Sequence, residues 1–186
     1  MRIIAGRFKG RVLSSFQADH IRPTTDRVKE ALFNKWMSDL EDAQVLDLFS
    51  GTGSLGLEAL SRGAAQVHFV EQNVKSIQIL KKNIDLLKLQ PNEYAIFKQD
   101  VLVYLRKYQG PPYQIILIDP PFTEKMAHEV MQALDASQCF DQNTLIAIES
   151  QKKERMEDRY SNLDRYHVND YGDKLLSFFI KKAQDL

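Results

Sequence analysis

The sequence predicts an α/β domain built on a mostly parallel, seven-stranded, doubly wound sheet. Short apolar runs alternate with amphipathic stretches of helical period, and a glycine-rich turn joins the first of those runs to the helix after it. The last two runs flank a polar turn, which marks an antiparallel hairpin. Strands covered on both faces read as continuous apolar runs, so the alternation of runs with helices implies parallel strands under two helical layers.

Arg2–Leu13 opens the chain with two short stretches bent at Gly6 and Gly10, which predicts a small N-terminal β-hairpin. Pro23, Thr24, Thr25 and Asp26 supply a helix start, because their side-chain oxygens accept from free first-turn N–H groups. Val28, Leu32, Phe33, Trp36, Met37 and Leu40 then recur at helical spacing and define one buried face. Val45–Phe49 is the first central strand, and Leu55–Arg62 is a helix closed by Gly63. Val67–Val70 is the second strand. Val74, Ile77, Leu80, Ile84 and Leu87 line the next helix, which Pro91 and Asn92 end. Tyr94–Phe97 and a short helix from Val101 follow, then the apolar Ile115–Ile118, a helix near Glu124–Ala136 and a strand at Thr144–Ile148. Tyr166–Asp170 and Leu175–Ile180 form the closing hairpin around Tyr171–Lys174. Lys152–Arg165 mixes charges and reads as a solvated helix or loop.

The chain of 186 residues fits one domain, with a basic arm over 1–20 and the main domain over 21–186. One cysteine, Cys139, excludes a disulfide framework and a cysteine-built zinc site. The four histidines lack ligand spacing, so no metal is expected. No run approaches the roughly 18 apolar residues of a membrane span, and no leader follows the first charges. A soluble, cytoplasmic protein is the expectation, with a monomer as the default. The formal charge is +0 overall, yet residues 1–30 hold seven Lys/Arg against three acids. Arg2, Arg7, Lys9 and Arg11 precede any acid, which suits a polyanion.

Gly51, Gly53 and Gly56 satisfy the G-x-G-x-x-G spacing at a strand–turn–helix junction, where glycine lets backbone approach a ligand closely. Glu71 ends the second strand twenty residues after Gly51, placed to accept from ribose hydroxyls. Asp47, four residues before Gly51, would repel a pyrophosphate and attract a cationic amino-acid end. S-adenosylmethionine offers a ribose, an ammonium and no phosphate, so the reading favours it over a dinucleotide. Asp100 reads either as a partner for the adenine amino group or as the N-cap of the helix it precedes. Asp119-Pro120-Pro121-Phe122 follows an apolar strand. The prolines stiffen it, Asp119 and the Pro120 carbonyl supply two acceptors, and Phe122 supplies a stacking face. An exocyclic amino group on a flat ring suits that set, since paired acceptors favour the pyramidal nitrogen that attacks a methyl carbon.

The stretches Asp47-Leu-Phe-Ser-Gly-Thr-Gly53 and Asp119-Pro-Pro-Phe122 resemble those of Rossmann-like, class I S-adenosylmethionine-dependent amino-methyltransferases. Three further stretches make the chain similar to the RsmD family along nearly its whole length. They are Arg2–Arg11, Arg22-Pro-Thr-Thr-Asp-Arg-Val-Lys-Glu-Ala-Leu-Phe33, and Tyr171-Gly-Asp173 with Leu176-Ser-Phe178. That resemblance implies methylation of a guanine N2 in bacterial small-subunit (16S) ribosomal RNA, met within a small-subunit assembly particle. It implies Asp47, Ser50, Gly51, Gly53, Glu71 and Asp100 as cofactor residues and Asp119, Pro120 and Phe122 as the amine site. Arg22–Arg27 would fold over the cofactor or base, and residues 1–13 would bind RNA. The alternative is a DNA adenine-N6 or protein glutamine-N5 methyltransferase using the same Asp-Pro-Pro-Phe chemistry.

Overall fold

The structure is a computed structural model describing residues 1–16, 26–123 and 125–183. Its elements are α1 (Asp26–Lys35), β1 (Gln44–Leu48), α2 (Ser54–Ser61), β2 (Gln66–Glu71), α3 (Val74–Leu87) and β3 (Tyr94–Lys98). They continue as α4 (Val101–Lys107), β4 (Ile115–Ile118), α5 (Met126–Asp135), β5 (Leu145–Gln151), β6 (Leu163–Tyr171) and β7 (Lys174–Lys181). The seven strands form one sheet in the order β3-β2-β1-β4-β5-β7-β6. β1 through β5 pair in parallel; β7 pairs antiparallel with both β5 and β6. Among the described residues no helix is long and apolar enough to cross a membrane.

Successive side chains of a strand point to opposite faces, so the two-period of each apolar run divides it between two cores. Val45 joins the arm, α1, α2 and α3 on one face. Leu46 and Leu48 join α4 and α5 on the other. The sheet order reverses direction between β1 and β4, which opens a crevice at their carboxyl ends. That crevice is where an open α/β sheet takes its ligand.

The arm differs from the expected pair of strands. It closes as a hairpin through one isolated bridge, Arg2 with Val12, flanked by the Ile3 N–H on the Arg11 carbonyl and the Leu13 N–H on the Met1 carbonyl. Its ladder stops there because the arm turns toward α2: a Cβ on Gly6 would lie 1.7 Å from the Ser61 carbonyl oxygen. Ile3 and Leu13 are core residues, 1% and 3% exposed. Glu58, fully buried on α2, accepts from the Ile4 and Ala5 N–H groups at 2.8 and 3.0 Å. It also meets Lys29 at 3.3 Å and Arg62 at 2.8 Å, so one carboxylate joins the arm, α1 and α2.

Other boundaries differ from the expected ones for local reasons. α1 ends at Lys35, and Met37 sits in a 3₁₀ turn with its side chain 70% exposed, outside the predicted face. α3 stops three residues before Pro91, at Lys88 in the left-handed conformation. α5 begins at Met126, where the Thr123 hydroxyl accepts from the Met126 N–H at 3.0 Å. Thr144 precedes β5 and donates its hydroxyl to the Tyr113 carbonyl at 2.6 Å. The end of the mixed-charge stretch, from Leu163, is the start of β6. Pro23, Thr24 and Thr25, the predicted start of α1, lie outside the described residues.

Candidate active site

A cleft of about 870 Å³ opens at the carboxyl ends of β1, β2 and β4. Its walls are Phe49 and Gly51 after β1, Glu71, Gln72, Asn73 and Ser76 at the β2–α3 junction, and Asp119–Phe122 after β4. The glycine loop and the Asp-Pro-Pro-Phe loop, far apart in the chain, therefore face one space.

Glu71 is held by backbone: Gly51 N–H donates to one carboxylate oxygen at 2.8 Å and Asn73 N–H to the other at 2.7 Å. A carboxylate oxygen carries two acceptor sites, so a pinned Glu71 still has capacity for a ribose diol. Asn73 also caps α3, accepting from Lys75 and Ser76 N–H groups. The sequence reading missed this residue, although an Asn directly before a helical period is a standard start signal.

The three glycines have separate reasons. Gly51 adopts φ +54° and lines the cleft, and a Cβ placed on it would have the Phe49 carbonyl oxygen, 3.9 Å away, as its nearest neighbour. Gly53, at φ +89°, would drive a Cβ into Leu80 and Leu57, and Gly56 would drive one into Phe69, Asp47 and Val67. Only the first glycine borders the ligand space; the other two let α2 pack on α3 and on the sheet. Ser50 also turns inward, its N–H and hydroxyl both directed at the Val70 carbonyl, at 3.1 and 3.5 Å.

Asp47 needs a correction. It is 1% exposed and lies beneath the loop, accepting from the Gly56 N–H at 2.9 Å, rather than in the cleft. Burial, reinforced by the nearby Asp119 and Glu71 carboxylates, pushes its carboxyl up to about 8. Asp47 is therefore placed as the acceptor for the first turn of α2 and is not among the residues that line the cleft. The acids that line the cleft are Glu71 and Asp119. Two carboxylates, with no Lys or Arg among the described lining residues, fit a cationic sulfonium and ammonium and disfavour a pyrophosphate.

Asp100 is the N-cap of α4, accepting from the Val103 N–H at 3.0 Å, which selects the capping alternative for one of its oxygens. Asp119 follows β4 with its N–H on the Leu48 carbonyl at 3.4 Å. Pro120 is buried, Pro121 exposed, and Phe122 is 38% exposed at the cleft mouth. Among the arm cations, Arg2 pairs with Asp26 at 2.8 Å and Arg7 pairs with Glu93. Glu93 precedes β3, so Arg7 stands at the end of the sheet opposite the cleft. Lys9 and Arg11 are exposed. Arg27 sits in the first turn of α1, 5.9 Å from the Tyr171 ring; Arg22 lies outside the described residues. Among the described residues no group of three or more His, Cys, Asp or Glu is placed to hold a metal ion.

A seven-stranded sheet ending in an antiparallel hairpin, with an acid-lined cleft at its switch point, defines a class I S-adenosylmethionine-dependent methyltransferase. Solved structures agree. An Escherichia coli chain assigned as a methyltransferase superposes with a TM-score of 0.86 at 34% identity, covering 99% of both chains. A Haemophilus influenzae chain assigned as a methylase gives 0.82 at 32%, covering 97% of both. A chain assigned as a methyltransferase and complexed with SAH shares the fold, with a TM-score of 0.65 over 82% of this chain and 49% of that one. The family described as Conserved hypothetical protein 95 matches residues 1–180. Ribosomal RNA small subunit methyltransferase D of Haemophilus influenzae is 39% identical over 82% of this chain and 79% of its own length. Its Escherichia coli (strain K12) counterpart is 38% identical over 81% and 75%. The chain belongs to this family, the RsmD family.

Proposed function

We propose that this protein transfers a methyl group from S-adenosylmethionine to the exocyclic N2 of a guanine in 16S ribosomal RNA. The observation that carries the reading is the shared cleft: the pinned Glu71 and the Asp119–Phe122 loop face each other across one space. The methyl carbon on the cofactor's sulfonium is already activated, so the protein's task is to present the amine. Glu71 takes the ribose hydroxyls, and Gly51 lets the backbone approach. Asp100 offers its second oxygen to the adenine amino group. Phe122 stacks the guanine, while Asp119 and the Pro120 carbonyl accept the two N2 hydrogens. Held that way, the nitrogen lone pair leaves the ring's conjugation and points at the methyl carbon.

The guanine reaches this cleft from folded RNA by flipping, in a small-subunit particle in the cytoplasm. The protein acts as a monomer without metal. Lys9, Arg11, Arg22 and Arg27 hold phosphates, and Arg2 and Arg7 join them by exchanging Asp26 and Glu93 for a phosphate. The base of the arm supports this arrangement, since the Ser14 N–H reaches Asn83, whose amide also donates to the Thr52 carbonyl in the glycine loop. Comparison of Asp119→Ala with the parent enzyme tests it directly. Methyl transfer should fall below detection while S-adenosylmethionine still binds by calorimetry, held by Glu71. A near-parental rate would remove the amine site.

A further inference from the structure

Beside the Asp-Pro-Pro-Phe loop lies a buried ion pair that the reaction just described does not use. β5 and β7 run antiparallel, with Glu149 opposite Leu176 and Gln151 opposite Lys174, so Glu149 and Lys174 are diagonal neighbours on one face. Their side chains pair, and the residues are 3% and 8% exposed. The parallel pairing of β4 with β5 ends at Ile118 with Ile148, so Asp119 and Glu149 each follow the last paired residue of their strands at the carboxyl edge. From there the chain runs through two prolines to Phe122, whose ring centroid lies 4.7 Å from the Lys174 ammonium.

Each part of this arrangement argues for the ring. Pro120 and Pro121 have no N–H to donate, which leaves fewer backbone ties in the loop, and the Lys174 contact adds to what fixes Phe122. An ammonium over an aromatic face is attracted by the ring's quadrupole, more strongly when desolvated. Lys174 is buried while Phe122 lines the cleft and is partly open, so the cation holds the ring without closing it off from the cleft. Stability alone does not explain the pair, since apolar residues of similar volume commonly replace buried ion pairs without loss.

We propose that Lys174, anchored by Glu149, is a positioning residue that holds the Phe122 ring and so sets the plane on which the target base stacks. The substrate side of this inference rests on the function proposed above; the ring-holding side does not. Two measurements separate them. The chain has one tryptophan, so Phe122→Trp in a Trp36→Phe background gives a single indole at the loop. Time-resolved anisotropy should show that indole largely immobile. Lys174→Met should at least double its fast depolarisation amplitude, Glu149→Gln should give an intermediate value, and Lys174→Arg should restore the parent value. An amplitude unchanged in folded Lys174→Met and in Glu149→Gln would overturn the proposal.

In methyl transfer, Lys174→Met should raise the KM for RNA about tenfold while S-adenosylmethionine affinity stays within twofold. Phe122→Leu should give a similar loss, and the double variant should lose nothing further, because one acts through the other. Losses that multiply would overturn Lys174's action through Phe122. Parent enzyme inactive on ribosomal RNA would overturn the proposed function, with the anisotropy result still deciding whether Lys174 holds the ring.

Discussion

Asp47 reads in the sequence as an open carboxylate because strand ends before a glycine turn usually face the ligand, but the two-residue period of β1 turns it under α2 instead. There it meets Gly56, whose missing side chain makes room for it: a Cβ on Gly56 would lie 2.8 Å from the Asp47 oxygen. The consequence is a pH dependence. The unfolded chain loses the Asp47 proton near 3.8, whereas the folded chain keeps it to about 8. Between those values the folded state binds the extra proton, so this residue's contribution to stability declines as pH rises from about 4 to about 8. Asp47→Asn retains an acceptor for Gly56 and removes the titration. Its melting temperature should fall less than the parent's across that range, and parallel curves would show that Asp47 is ionised when folded. Glu71 is the opposite case, legible from spacing alone and pinned by the two backbone N–H groups beside it. Glu71→Ala should weaken S-adenosylmethionine at least tenfold by calorimetry, because it removes the ribose acceptors and the anchor of the loop together. Lys174 and Glu149 carry no local signal, because their pairing exists only once β7 inserts beside β5.

The arm, α1 and α2 behave as a unit because Glu58 binds all three. Burial lowers the Lys29 ammonium below its usual range, against the pull of Glu58. Removing one partner strands the other: Glu58→Ala should cost about 3–5 kcal/mol in denaturant unfolding. Adding Lys29→Met should recover part of that loss, whereas a further loss would mean that Lys29 is not the stranded charge. Most strands, by contrast, are readable from sequence because each centres on a short apolar run between turn residues, whereas the largely polar β6 starts inside the mixed-charge stretch. The helix ends are less so, since α1 and α5 stop or start according to caps and to 3₁₀ geometry that periodicity does not encode. In the arm the hydrophobic signal is correct, as Ile3 and Leu13 are buried, yet the tertiary contact with Ser61 limits its ladder to one bridge.

Across the whole molecule the charge is arranged as the chemistry requires, with acids in the cleft and cations on the arm and at the start of α1. Phosphate contacts release counterions, so RNA affinity should fall steeply with salt. Replacing Lys9 and Arg11 with Gln should flatten that slope by about two, roughly one per contact, and leave S-adenosylmethionine binding unchanged. Arg7→Gln should change it less, since a phosphate must first displace Glu93. A simultaneous loss of cofactor affinity would assign the arm to the cofactor site. The central claim is that the Asp119 loop presents a guanine N2 from small-subunit RNA to the methyl donor bound against Glu71. Labelled S-adenosylmethionine incubated with undermethylated small ribosomal subunits, followed by digestion and mass identification of nucleosides, tests it most directly. N2-methylguanosine that disappears with Asp119→Ala is the predicted result; N6-methyladenosine, or no labelled nucleoside from an enzyme that binds the cofactor, would contradict it.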